Sequence, residues 1–230
     1  MSSIYELLCS LPLFRGVSEN AIREVAGSTK FHFLKYPDSE TIVSAGDPCS
    51  HLAFVISGSV RTELSNSSGR FIVRQTLTAP AVLAPDFLFG RRTQYPATVI
   101  AIGEVSIIKI SKADYMRILK TDEIFVFNYL NTLSVNAQKA VEGIISLTDG
   151  SLEKRVAFWV STLTRPEASD IVLECRTRDL CNLFAVPRSI FEGTMHNMGR
   201  RGLLTYTPRQ IGILDRRGIV DLLDDDNEME

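Results

Sequence analysis

Thr177-Arg-Asp-Leu-Cys-Asn-Leu-Phe184 is followed by Ala185-Val-Pro187 and then by Arg188-Ser-Ile-Phe-Glu-Gly-Thr-Met-His-Asn-Met-Gly-Arg-Arg-Gly202. Thr177 is a cap for a short helix over Arg178 to Phe184. The tight turn through Pro187 leads into a second helix from Arg188 to about Arg201, ended by Gly202. Leu203-Leu-Thr-Tyr-Thr and Gln210-Ile-Gly-Ile-Leu then alternate like two strands, with Pro208-Arg209 at the centre of their turn. The second helix is two-sided: Phe191, Thr194, Met195 and Met198 form an inner face, Arg188, Ser189, Glu192 and His196 an outer one. Helix, short turn, helix and a two-stranded wing is the layout of a winged DNA reader. Arg188 can form a bidentate pair with guanine, and Glu192 can accept from a cytosine amino group. Thr177, Arg178, Arg200 and Arg209 suit phosphates, which fix register without reading sequence. The plain alternative is a three-helix domain whose arginines are merely solvated.

Charge distribution weighs against that alternative. The chain as a whole carries 25 basic and 27 acidic residues. Between Arg176 and Arg217, however, eight arginines face only Asp179, Glu192 and Asp215. The segment from Asp221 to Glu230 is acidic and reads as a solvated end. Only the distribution bears on a polyanionic partner, and it marks the C-terminal region as basic.

Upstream, Val126, Leu130, Leu133, Ala137, Ala140, Ile144 and Leu147 recur at alternating steps of four and three. This 3.5-residue period is that of a coiled-coil seam and predicts a helix that pairs with a second copy of itself. Phe127, Tyr129, Val141 and Ile145 flank the seam, so a second face is free to pack on the N-terminal domain. The helix breaks at Asp149-Gly150, and Ser151 caps a new one from Leu152 to about Leu163. From Thr29 to about Ile110, short runs rich in Val, Ile, Phe and Thr alternate with turn residues, which predicts an antiparallel roll or barrel. Short helices precede it, with Leu7, Leu8, Leu11 and Phe14 at helical spacing. The expected fold is α+β: an N-terminal antiparallel β-roll of jelly-roll type (1–121), a dimerisation helix (122–149) and a C-terminal winged helix-turn-helix (150–230).

The chain from about Leu11 to Leu223 resembles the Crp/Fnr family of bacterial transcription regulators. The resemblance rests on Gly46-Asp-Pro-Cys-Ser-His-Leu-Ala-Phe-Val-Ile-Ser-Gly-Ser-Val60, on the hinge Asp149-Gly150-Ser151, and on Val186-Pro-Arg-Ser-Ile-Phe191 with Arg201-Gly-Leu-Leu204 and the wing ending Ile213-Leu-Asp215. It implies a homodimer on a palindromic duplex, contact with RNA polymerase in many members, and a signal received in a β-roll of cyclic-nucleotide-binding type. Gly193 lies where many members place a second polar reader.

The cassette departs from that pattern. Members that bind cyclic AMP carry Gly-Glu for the ribose and Arg-Ser for the phosphate; this chain has Ala84-Pro85 and Tyr95-Pro96. Proline also removes a backbone donor. Ala140 and Val141 stand near the positions that offer hydroxyls to adenine. The expectation is a regulator not controlled by cyclic AMP, with Arg91, Arg92 and Tyr95 left as the effector-pocket residues and the effector itself unknown. The competing expectation is a cyclic-nucleotide-responsive regulator or binding module with a non-standard pocket.

Other chemistries find little support. Cys9, Cys49, Cys175 and Cys181 are too scattered for a disulfide framework, and Cys9 stands alone where an iron–sulfur group would need several. His32, His51 and His196 lie in three different segments, against a metal-dependent enzyme on a β-roll. A single haem ligand leaves little trace in sequence. No cofactor or catalytic residue is expected. No apolar run reaches about 18 residues, and Met1-Ser-Ser-Ile-Tyr-Glu6 does not read as a signal peptide; the expected setting is the cytoplasm.

Overall fold

The computed structural model describes residues 4–146 and 150–223. Leu147, Asp149 and the acidic residues from Asp224 onward lie outside the described residues. The chain divides into two compact units, Met1–Thr62 with Leu77–Asn136, and Glu63–Thr76 with Ala137–Glu230. The expected boundaries at 121/122 and 149/150 do not anticipate this grouping, in which a segment of the β-roll sequence joins the C-terminal unit.

The first unit begins with helices α1 (Ile4–Ser10) and α2 (Glu19–Ser28). Ser18 caps α2 by accepting from the Ala21 amide. The strands of the roll sequence are β1 (Phe31–Tyr36), β2 (Thr41–Val43), β3 (His51–Ser65), β4 (Ile72–Thr78), β5 (Ala81–Leu83) and β6 (Thr98–Ser111), of which the end of β3 and most of β4 fall in the second unit. Pairing is antiparallel: β6 runs beside β1 from Phe31↔Ile110 to Tyr36↔Val105 and beside β2 at Thr41↔Ile100, and β3 holds β5 at Phe54↔Val82. Val105, Ile107, Ile108 and Ile110 of β6 are fully buried, so this strand is covered on both faces at its C-terminal end. Gly58 permits the close approach of β3 to β6. A Cβ there would lie 2.4 Å from the Glu104 carbonyl oxygen, and its φ of +81° already favours glycine. Phe14 joins the core edge-on to Phe54 and Phe125, at 5.9 and 5.1 Å between ring centroids. Such pairs contribute about 0.5–1.5 kcal/mol beyond the area they bury. The unit closes with α3 (Lys112–Ile118) and the first half of α4 (Glu123–Ser146).

The second unit holds α5 (Leu152–Leu163), β7 (Ser169–Glu174), α6 (Thr177–Phe184), α7 (Arg188–Arg200), β8 (Leu204–Thr207), β9 (Gln210–Ile213) and α8 (Arg216–Asp221). Ser151 caps α5 through the Lys154 amide, as its sequence predicts. Strand β7 and helix α8 go beyond the expected three helices and hairpin. Strand β7 pairs with β9 on one side and with β4 on the other, through Ile72↔Glu174, Val73↔Leu173 and Arg74↔Val172. The β4 side is fixed by Arg74, whose guanidinium pairs with Glu63 at 3.2 Å and with Glu174. Trp159 lies between Phe71 and Phe184, with ring centroids 5.6 and 5.7 Å away. Beneath them Val156, Val160, Leu173, Phe191, Met195 and Met198 are buried in one cluster.

Both helices of the motif end in the same way. In α7 the amide of Gly202 donates to the Gly199 carbonyl and that of Leu203 to Met198, with Gly202 at a φ of +75°. In α6 the amides of Ala185 and Val186 donate to Asn182 and Cys181, but the left-handed residue is Ala185, at φ +52°. A Cβ in that conformation costs about 1–2 kcal/mol, whereas glycine accepts it. Ala185→Gly is therefore expected to raise the melting temperature of the C-terminal unit by several degrees, and Gly202→Ala to lower it by a similar amount. Equal melting curves for the two variants in calorimetry would show that the caps do not limit stability.

Candidate nucleic-acid interface and effector cassette

The amphipathic reading of α7 is met residue by residue. Phe191, Met195 and Met198 are fully buried, and Thr194 is half-buried. Arg188, Ser189 and His196 are exposed, and Glu192 is half-exposed. The Arg188 Nε donates to Glu192 Oε1 at 2.8 Å, one helical turn away, so a carboxylate holds the guanidinium in place before any ligand arrives. His196 Nδ1 lies 2.7 Å from the Glu192 carbonyl oxygen. Arg200, at the last turn, donates to Asn197 at 3.3 Å. The exposed Ile190 also lies on this helix. Gly193 is exposed, and a Cβ there would meet nothing within 4 Å, so packing does not demand glycine at that position.

The start of α6 carries one correction. Thr177 is buried, and its hydroxyl lies 2.7 Å from the Tyr206 hydroxyl and donates to the Pro208 carbonyl at 3.1 Å. It neither caps α6, whose N-cap is Arg176, nor offers its hydroxyl to a phosphate. What it does instead is tie the wing to the helix. Amides of Cys175 and Thr177 donate to the carbonyls of Arg209 and Pro208, which adds two more ties. Arg178 and Arg209 remain exposed.

The expected seam of α4 is largely uncovered. Leu130 is 55% and Ile144 68% exposed, and Ala137 and Ala140 are exposed beside them. Val126 and Leu133 are half-buried. Phe127, Val141 and Ile145 extend the apolar surface. The opposite face of the first half packs inward through Phe125 and Tyr129.

In the cassette, Ala84 adopts a left-handed φ of +45° and leads into a 3-10 turn, Pro85–Phe87. Helix α4 grips this turn. The Tyr129 hydroxyl donates to the Pro85 carbonyl at 2.8 Å, and the Asn136 amide nitrogen lies 2.9 Å from both Asp86 carboxylate oxygens. Burial, with the nearby Asp86 carboxylate, pushes the Tyr129 hydroxyl up to about 12. Phe89 stacks edge-on to Tyr129, and the Lys112 ammonium sits over the Phe89 ring. Arg91 and Arg92 are exposed on the following loop. Tyr95 is not: its ring is 5% exposed, its hydroxyl donates to the His51 carbonyl at 3.4 Å, and burial raises its pKa. The expectation that Tyr95 faces an effector thus gives way to a core role. Tyr129 lies on the flank of the helix that the sequence leaves free to pack on the N-terminal domain, whereas the part Asn136 plays in holding the turn has no signal in the sequence.

By fold the chain is of the Crp/Fnr type, an antiparallel jelly-roll-like sheet with helices followed by a helix-turn-helix and wing. Residues 33–122 match the model of the cyclic nucleotide-binding domain family. The catabolite activator protein of Thermus thermophilus superposes with a TM-score of 0.52 at 17% identity, covering 93% of this chain and 99% of that one. The sensor domain of the transcriptional regulator DNR from Pseudomonas aeruginosa superposes at 0.51 with 20% identity, over 60% of this chain and 91% of that one. In sequence, the chain is 29% identical over 136 residues to the voltage-gated inwardly rectifying potassium channel KCNH6 of Rattus norvegicus. It spans 13% of that relative's length, and the match covers 56% of this chain. No helix among the described residues is long and apolar enough to cross a membrane.

Proposed function

We propose that the protein is a sequence-specific DNA-binding transcription regulator that acts as a homodimer on an inverted repeat, and that it is not an enzyme. The observation that carries this reading is α7, anchored by Phe191, Met195 and Met198 while Arg188, Ser189, Glu192 and His196 face outward from its N-terminal turns. A helix presented in this way reads base edges through its first turns, and a wing beside it adds backbone contacts. The exposed apolar stripe of α4 supports a surface for the second copy, and an inverted-repeat operator requires the dimer to present its two α7 helices about one helical turn apart. RNA polymerase is a further partner consistent with this class of regulator.

The match to a cyclic nucleotide-binding domain supports a second reading, in which the β-roll takes a cyclic nucleotide. The cassette chemistry favours the first. A ribose carboxylate is replaced by Pro85, which is itself buried, and a phosphate-binding guanidinium by the buried Tyr95. Each missing charged contact removes about 1.5–3 kcal/mol of binding. Selection from random duplexes, with and without 1 mM-order cyclic AMP, tests both readings. The expected product is one inverted repeat with half-sites about 34 Å apart, recovered equally in both arms. Recovery only with the nucleotide would establish the second reading, and no enrichment in either arm would remove the first.

A further inference from the structure

A second basic surface of the C-terminal unit comes partly from the hairpin between β3 and β4. A cleft of about 400 Å³ is lined by Arg70, Arg176, Arg178, Asp179 and Asn182. Three guanidinium groups thus meet one carboxylate. Arg176 Nε pairs with Asp179 at 3.0 Å, while Arg70 and Arg178 make no ion pair among the described residues. These groups come from places about a hundred residues apart in sequence, and local structure holds each of them.

The hairpin tip is built to present Arg70. Asn66 Oδ1 accepts from the amides of Arg70 and Phe71 at 3.1 and 3.3 Å, and the Gly69 amide donates to the Asn66 carbonyl. The next residue, Phe71, packs on Trp159, and the one after it pairs with Glu174. Strand β7 then runs directly into Arg176, Thr177 and Arg178. The wing is drawn to the same edge, because Pro208 and Arg209 accept from the Thr177 and Cys175 amides. A surface arginine on a floppy loop loses conformational entropy when it binds, whereas one on a tip already fixed loses less. The cleft also lies at the positive end of α6, which favours an anion there.

We infer that this cleft is a phosphate-binding site for the DNA backbone, and that Arg70 and Arg176 extend the contact beyond α7 and the wing. The inference rests on the proposed DNA-binding function. In helix-turn-helix docking the first helix crosses the sugar-phosphate backbone, and here α6 is that helix. A phosphodiester oxygen suits the site because guanidinium groups bind it in bidentate fashion. Such a contact adds affinity and salt dependence without adding sequence preference.

The test measures the affinity of wild type, Arg70→Gln and Arg176→Gln for the selected duplex and for a scrambled one between 50 and 200 mM salt. Each lost phosphate contact flattens the slope of log affinity against log salt by about 0.9, and each variant of a homodimer loses one contact per subunit, so the wild type should lose about 12-fold more affinity over that range than either variant. Both duplexes should be affected alike. Arg70 is exposed, so unchanged melting curves separate this effect from misfolding. If the wild type binds the duplex and Arg70→Gln has the same slope and affinity, the cleft is not a DNA contact. If the wild type binds no duplex, the underlying function falls and this inference with it. A third arm titrates pyrophosphate into the free protein. Binding lost in Arg70→Gln while duplex affinity stays unchanged would make the cleft a small-anion site and overturn the inference.

Discussion

Placing glutamate at Leu130 and Ile144 together is expected to leave a folded monomer, with light scattering giving the 25.6 kDa of one chain rather than twice that mass. Both side chains are more than half exposed along α4, so the substitutions remove little that the single chain buries. In a dimer they would put four carboxylates into an apolar seam. Each leucine or isoleucine buried there contributes about 1.5–3 kcal/mol, and an unpaired charge in its place costs more. The consequence for DNA is larger still. Under the proposed function a monomer would hold one half-site and lose the gain from simultaneous engagement of two, about 10²- to 10⁴-fold in affinity. Circular dichroism should remain unchanged. A double variant that still scatters as a dimer would place the subunit contact elsewhere.

Arg188→Ala should cost about ten- to a hundredfold at each half-site of the cognate duplex, and the two half-sites multiply. Its guanidinium is the first charged group on α7 and pairs with Glu192 at 2.8 Å, which under the proposed function would orient it toward the major groove. Loss of the guanidinium removes the proposed bidentate pair with guanine and leaves Glu192 without its partner. Preference at one base position per half-site should therefore relax, while affinity for scrambled duplexes changes little. Arg209→Ala makes the contrast. Its position on the wing turn predicts a uniform loss over all sequences and a shallower salt slope. Equal weakening of cognate and scrambled duplexes by Arg188→Ala would make that residue a phosphate clamp and would displace α7 from the groove.

The elements legible in the sequence were those whose signal is local. The period of α7 separates Phe191, Met195 and Met198 from Arg188 and His196, and the structure keeps that division. Ser151 as a cap and the runs that become β3 and β6 were equally readable. What escaped depends on partners far along the chain. Strand β7 has only Ile171 and Leu173 buried, too short an alternation to stand out, and becomes a strand because β4 and β9 flank it. The grip of Tyr129 and Asn136 on the cassette turn joins residues 44 and 50 positions apart. Thr177 is the converse case: its residue type beside a helix start suits a cap, but its hydroxyl pairs with Tyr206 and the Pro208 carbonyl, partners about 30 positions away. Arg70 and Arg176 were missed because one sits in a hairpin turn and the other before a helix, and only folding brings them to one cleft.

The C-terminal unit is not a continuous piece of chain, and this limits how the protein can be taken apart. A fragment starting at Gly150 would lack Ile72, Val73 and Arg74 along β7. That strand would then present a row of unpaired amides and carbonyls, with Glu174 deprived of Arg74, and Trp159 would lose Phe71. An open edge of this kind invites pairing between copies. The C-terminal unit is therefore complete only with the segment Glu63–Thr76, and a transplant or fragment that keeps its helices must carry that hairpin with them.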